Sequence, residues 1–70
     1  MILVMEIVLN GRSLQLPEEI KTVQQLLEYL TLSERVVIVE VNREITPKEA
    51  YQRELQELDE VEMIHFVGGG

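Results

Sequence analysis

The residues of this sequence best suited to unusual chemistry are the last three, Gly68, Gly69 and Gly70. At ordinary glycine usage, a glycine triplet at one fixed place occurs in roughly 3 of 10,000 chains. Because glycine has no Cβ, a glycine run can thread a slot too narrow for any other residue. Three extended residues reach about 10 Å, enough to carry the Gly70 carboxylate into another protein's active site. The alternative explanation is a flexible end without function, since chain termini are often disordered.

A free carboxylate resists nucleophiles until one of its oxygens becomes a leaving group. ATP can supply that change by forming an acyl-adenylate on Gly70, and attack by sulfur would then give a thiocarboxylate. A thiocarboxylate is a soft nucleophile, here carried on a flexible arm. The tail therefore predicts chemistry at the chain's own carboxylate, without a side-chain catalyst.

Side chains elsewhere do not form a recognisable catalytic site. The chain has no cysteine, and His65 is its only histidine, with no carboxylate partner placed beside it by sequence. A lone histidine on a strand is more often a packed residue than a proton shuttle, and we assign His65 no role. The hydroxyl residues fall at predicted turns, caps and strand edges, where local hydrogen bonding is their usual role. These residues are Ser13, Thr22, Thr31, Ser33 and Thr46.

The densest acidic stretch also lacks the pattern of a metal site. It contains Glu57, Asp59, Glu60 and Glu62, with no turn glycine of the kind that a calcium loop needs. We interpret it as a solvated acidic edge. The sequence thus predicts a protein that is not an enzyme and itself binds neither a metal nor a cofactor.

The composition limits the domain count and the partners. Seventy residues allow one domain, which we place at 1–67, followed by a flexible tail at 68–70. A net charge of -7 would repel nucleic acid and anionic membranes, so a protein partner with a basic docking face is expected. No apolar run is long enough to span a bilayer, and the lack of cysteine is compatible with a cytoplasmic location.

The first half of the body is predicted as a hairpin followed by a helix. Residues 2–9 and 12–16 flank Asn10-Gly11, a pair preferred in type I′ hairpin turns. Thr22 and Gln25 then form a capping box. This box opens a helix of about ten residues with apolar positions at helical spacing.

The second half is predicted as two strands around an irregular segment. The strands are 36–41 and 61–67, and residues 42–44 are interpreted as a turn. Residues 48–57 are expected to form a short helical turn and a short edge strand. This order predicts an α+β fold, a ubiquitin-like β-grasp with a mixed sheet of four to five strands and one main helix on one face.

The last predicted strand can present a docking patch beside the tail. Alternation places Val61 and Met63 on one face and Ile64 and Phe66 on the other. If Val61 and Met63 face the helix, Ile64 and Phe66 lie on the open face and are candidate partner-binding residues, together with Gly68. The alternative is that the sheet curls and buries Phe66.

These features together resemble the ThiS family of sulfur carriers over essentially the whole chain. Its features here are the Asn10-Gly11 hairpin, T-V-Q-Q-L-L at 22–27, V-V-I-V-E-V-N at 36–42, Pro47, Tyr51, Asp59 and the ending V-E-M-I-H-F-V-G-G-G. The sequence departs from the family at Leu58, where glycine is common, and at Lys48, where arginine is common. Met5 is an alternative start to Met1.

The resemblance implies a sulfur-transfer role for the tail. A ThiF-like adenylyltransferase would use ATP and magnesium to adenylate Gly70, which follows Gly69 as in the family's terminal pair. A cysteine desulfurase would supply the sulfur, and a ThiG-like thiazole synthase would use it to build the thiazole ring of thiamin.

The sequence is also compatible with three other functions. A MoaD-like carrier for molybdopterin synthesis shares the predicted fold and the Gly-Gly end. A ubiquitin-like tag would join Gly70 to a lysine of another protein. A plain interaction module would keep its activity without Gly69 and Gly70.

Overall fold

A computed structural model describes residues 4–65, which form one mixed sheet and one helix. The elements are β1 Met5–Leu9, β2 Arg12–Leu16, α1 Val23–Tyr29, β3 Val37–Val41, β4 Glu44–Ile45 and β5 Glu60–His65. The sheet order is β2-β1-β5-β3-β4. β1 and β5 run parallel, whereas the other neighbouring strands run antiparallel. This architecture confirms the predicted α+β class and mixed sheet.

The β1–β2 hairpin forms as the Asn-Gly pair predicts. Asn10 and Gly11 have φ of 48° and 83°, and a type I′ turn needs positive φ at both positions. Leu9 pairs with Arg12 across the turn. Residues 2 and 3, at the start of the predicted first strand, lie outside the described residues.

The capping box at the start of α1 is also confirmed. Thr22 Oγ1 accepts a hydrogen bond from the backbone N–H of Gln25 at 3.1 Å. In return, Gln25 Oε1 accepts from the backbone N–H of Thr22 at 3.1 Å. Two N–H groups that would otherwise lack partners at the helix start are thereby satisfied.

The helix ends earlier than the apolar spacing predicts. It has seven residues rather than about ten, because the chain turns into a left-handed conformation at Thr31, where φ is 58°. The N–H groups of Thr31 and Leu32 bond back to the carbonyls of Glu28 and Leu27 at 3.0 and 2.7 Å. Such backward bonds close a helix at its C-terminus. Leu30 therefore packs half-buried just after the helix instead of within it.

The predicted edge strand lies in a different place. No strand forms within 48–57 in the described structure; the segment holds a 3-10 turn at Lys48–Ala50, as expected. The edge strand is β4, which pairs Glu44 with Val41 of β3. It forms because the turn needs only two residues, Asn42 and Arg43, whose φ values of 52° and 70° reverse the chain tightly.

The core lies between α1 and one face of the sheet. Its members are apolar side chains from the helix, from β1, β2, β3 and β5, and from the loop before β5. They are Ile7, Leu16, Val23, Leu26, Leu27, Val39, Val41, Leu55, Val61 and Met63. Within residues 4–65, no helix has the length and apolarity needed to cross a membrane.

Thr46 departs from the expected local bonding of the hydroxyl residues. Its side chain is buried, and Oγ1 has no hydrogen-bond partner within the described part of the chain. An unpaired buried hydroxyl costs free energy on folding. We expect Thr46→Val to raise the free energy of unfolding by about 1 kcal/mol, measured by urea unfolding. Thr46→Ser, which keeps the hydroxyl and removes a methyl group, should lower it; equal effects of the two changes would contradict this account.

Candidate functional site

β5 is the strand that leads into the predicted tail, and it lies between β1 and β3 in the sheet. Its described part is Glu60–His65, against the predicted 61–67. Four predicted site residues, Phe66, Gly68, Gly69 and Gly70, lie outside residues 4–65. Ile64 is therefore the one predicted site residue that the structure places.

The predicted alternation along β5 is confirmed. Val61 and Met63 are buried in the core, whereas Ile64 is 48% exposed on the opposite face. His65 lies on the same face as Met63, opposite Val37 of β3. Its side chain is exposed rather than packed, because the core ends before the strand does.

The exposed side of Ile64 continues onto β3. Ile38 lies directly opposite Ile64 in the strand register, and Val36 lies just before β3, two residues ahead of Ile38. Their exposed fractions are 38% for Ile38 and 73% for Val36. Side chains directly opposite on neighbouring strands contact each other. We call Val36, Ile38 and Ile64 the open-face patch.

Toward the start of β5 the open face carries acidic side chains. Glu40 of β3 lies directly opposite Glu62 of β5, an arrangement of like charges that destabilises a sheet. Glu60 is on the same face, and the closest nitrogen of Arg43 is 3.9 Å from its carboxylate. These four side chains line a shallow cleft of about 450 Å³. The open face is thus apolar toward the end of β5 and acidic toward its start.

Asp59 corrects the interpretation of a uniformly solvated acidic edge. It is buried, and its carboxylate accepts hydrogen bonds from Asn42 Nδ2 at 2.9 Å and from the N–H of Gln56 at 2.8 Å. These bonds fix the loop that enters β5. Glu57, Glu60 and Glu62 remain exposed. Within residues 4–65, no group of three or more histidine and carboxylate side chains is arranged to hold a metal ion.

Leu58 shows why glycine suits the turn before β5. Its φ is 64°, and this left-handed conformation costs an L-residue about 1–2 kcal/mol. Its side chain is 58% exposed, so little packing offsets the cost. Leu58→Gly is expected to raise the free energy of unfolding by about 1 kcal/mol. Leu58→Ala keeps the Cβ and should not; an equal gain in both variants, measured by thermal unfolding, would contradict this explanation.

This sheet order, with one helix on one face and the last strand, β5, at the centre, defines a ubiquitin-like β-grasp protein. The same fold occurs in the crystal structure of the thiamine biosynthesis protein ThiS from Geobacter metallireducens. The two match with a TM-score of 0.78 and 30% identity, over 94% of this chain and 100% of that one.

Sequence comparison gives the family. The sequence model of the ThiS family matches residues 4–70. The sulfur carrier protein ThiS of Bacillus subtilis (strain 168) is 44% identical over 63 residues, which cover 89% of this chain and 96% of that protein. The chain belongs to the ThiS family. It is therefore a sulfur carrier of thiamin biosynthesis and not itself a catalyst.

Proposed function

We propose that the chain carries sulfur as a thiocarboxylate on Gly70. The terminal carboxylate displaces pyrophosphate from ATP to give an acyl-adenylate. The outer sulfur of a persulfide then attacks the carbonyl carbon and AMP leaves, which gives an acyl disulfide. A thiol attacks the donor's sulfur in that S–S bond, forms a disulfide with it and releases the thiocarboxylate. The observation that carries this proposal is the family match, which extends through residue 70. The match therefore includes the terminal pair Gly69 and Gly70, whose carboxylate would react.

A ThiF-like adenylyltransferase is the proposed partner for this step, and it supplies the site for ATP and magnesium. We propose that it docks on the open-face patch, with Ile64 and Ile38 at the centre and Phe66 and Gly68 along the tail. The exposed apolar pair supports this choice, since such patches often mark protein interfaces. The acidic side chains around Glu40 and Glu62 support a partner surface with basic residues.

The later partners follow from the same chemistry. A cysteine desulfurase would provide sulfur as a persulfide, and a ThiG-like thiazole synthase would consume the thiocarboxylate. Because adenylation consumes ATP, we place the carrier in the cytoplasm, where ATP is available. Thiazole formation is favoured over molybdopterin synthesis because both related proteins above bear the name ThiS.

Complementation in Bacillus subtilis tests the destination of the sulfur. The chain is expressed in a strain that lacks its own ThiS, and growth without thiamin is measured. Growth that depends on Gly70 is the expected result. Growth rescue only in a strain that lacks its molybdopterin carrier would favour the MoaD-like alternative. Rescue that survives removal of Gly69 and Gly70 would favour a plain interaction module.

A further inference from the structure

β5 is held at two points by asparagine side chains from the turns on either side of it. Asn42, in the β3–β4 turn, accepts a hydrogen bond from the N–H of Glu60 through Oδ1 at 2.9 Å. Asn10, in the β1–β2 turn, accepts one from the N–H of Met63 through Oδ1 at 2.8 Å. Its Nδ2 also donates to the carbonyl oxygen of Met63 at 3.4 Å. The first asparagine holds the start of β5, and the second holds it nearer the tail.

The side-chain amide of Asn10 continues the hydrogen bonding between β1 and β5 beyond the point where the backbone of β1 stops pairing. Residue pairing between β1 and β5 ends at Leu9 and Val61, and the N–H of Asn10 donates the last backbone bond, to Val61 O at 2.9 Å. Beyond this point β1 turns into its hairpin. A side-chain amide offers a donor and an acceptor, as a peptide group does. It can therefore pair with both backbone groups of Met63 in place of the next residue of β1.

We propose that Asn10 is a positioning residue of the carrier. Its amide fixes Met63, next to Ile64 of the open-face patch, and so sets the direction in which the chain leaves the body toward Gly70. This inference rests on the proposed function. Once the body is docked, the carboxylate reacts at a rate that depends on how well it is placed. Loosening the end of β5 therefore slows the step after docking.

Asn10→Gly is the variant that isolates the side-chain amide. Glycine adopts the positive φ of Asn10, which is 48°, and retains the backbone bond to Val61. Asn42→Gly is the matched control, because Asn42 also has a positive φ, of 52°, and also bonds β5 through its side chain. Asn10→Asp retains the acceptor for the Met63 N–H and is expected to recover part of the loss.

The kinetic test is pyrophosphate release with a ThiF-like adenylyltransferase, measured where every variant is fully folded. Asn10→Gly is expected to lower kcat about three- to tenfold, the effect of one or two hydrogen bonds, with KM little changed. Asn42→Gly should lower the melting temperature and leave kcat unchanged. Equal losses of kcat in the two glycine variants, or no loss in either, would overturn the proposal.

Amide hydrogen exchange tests the same contact without the enzyme. The N–H of Met63 should exchange faster in Asn10→Gly and at the wild-type rate in Asn42→Gly. An unchanged Met63 rate in Asn10→Gly would overturn the proposal even if the carrier is active. Absence of pyrophosphate release from the wild-type chain would instead count against the proposed function, and the exchange measurement separates the two failures.

Discussion

Deletion of Gly70 is expected to abolish adenylation and thiocarboxylate formation. The shortened chain would end at Gly69, whose carboxylate falls about 3.4 Å short along an extended backbone. A misplacement of even about 1 Å can cost on the order of a hundredfold in rate, so a loss of at least about a hundredfold is expected. The measurement is pyrophosphate release with a ThiF-like adenylyltransferase. Residual activity within about tenfold of wild type would show that the reaction does not depend on the position of the Gly70 carboxylate.

Gly70→Ala is the matched control for this deletion. It keeps the length of the tail and adds a single Cβ. If the slot of the partner admits only glycine, the alanine variant should also react slowly, because the added methyl group collides with the slot. If length alone matters, it should react at close to the wild-type rate. Neither change should alter the melting temperature, since residues 68–70 follow the strand that completes the sheet.

Replacement of Ile64 by aspartate is expected to have the second largest effect. Its side chain is 48% exposed and lies opposite Ile38, so the change places a charge at the centre of the proposed interface. Central apolar contacts of this kind often contribute about 2 kcal/mol or more to binding. We expect KM for the carrier in adenylation to rise about thirtyfold, with kcat less affected. Ile38→Asp should act in the same direction.

Ile45→Asp is the control for a general effect of charge on the open face. Ile45 is also an exposed isoleucine, at 67%, but it lies on the edge strand opposite Glu40 rather than beside Ile64. Its replacement should leave KM close to the wild-type value. An equal rise in KM for Ile45→Asp and Ile64→Asp would contradict docking centred on the open-face patch. Circular dichroism of each variant separates lost docking from lost folding.

The elements that the sequence predicts well are those with local signals. The Asn10-Gly11 turn requires positive φ and is made of residues that adopt it. The capping box at Thr22 and Gln25 is complete within one helical turn. The glycine triplet is likewise a local signal, which is why the tail could be recognised without a structure.

The sequence predicts less well the elements that depend on residues in conformations unusual for their types. Thr31 ends the helix at a left-handed position that glycine usually occupies. Arg43 also has a positive φ, in the β3–β4 turn. This tight turn lets the edge strand begin at Glu44 instead of within the predicted 48–57. Asp59 is buried, and its carboxylate accepts a hydrogen bond from Asn42, 17 residues earlier in the chain. Such a contact cannot be read from neighbouring residues.

The sequence predicts which residues of the open-face patch share a side of their own strand, but not that the two strands are neighbours. Alternation along β5 identified Ile64, and alternation in V-V-I-V-E-V at 36–41 places Val36 and Ile38 on one side of β3. The sequence does not say which strand neighbours β5, or in what register. The pairing of Ile38 with Ile64 appears only once the sheet order is known.

The most direct test of sulfur carriage is the intact mass of the chain after incubation with a ThiF-like adenylyltransferase, ATP, magnesium, a persulfide donor and a thiol that releases the thiocarboxylate. We expect a gain equal to the difference between one sulfur and one oxygen atom, present in the wild-type chain and absent when Gly70 is deleted. An unchanged mass with an active enzyme and donor, or the same gain without Gly70, would contradict this expectation.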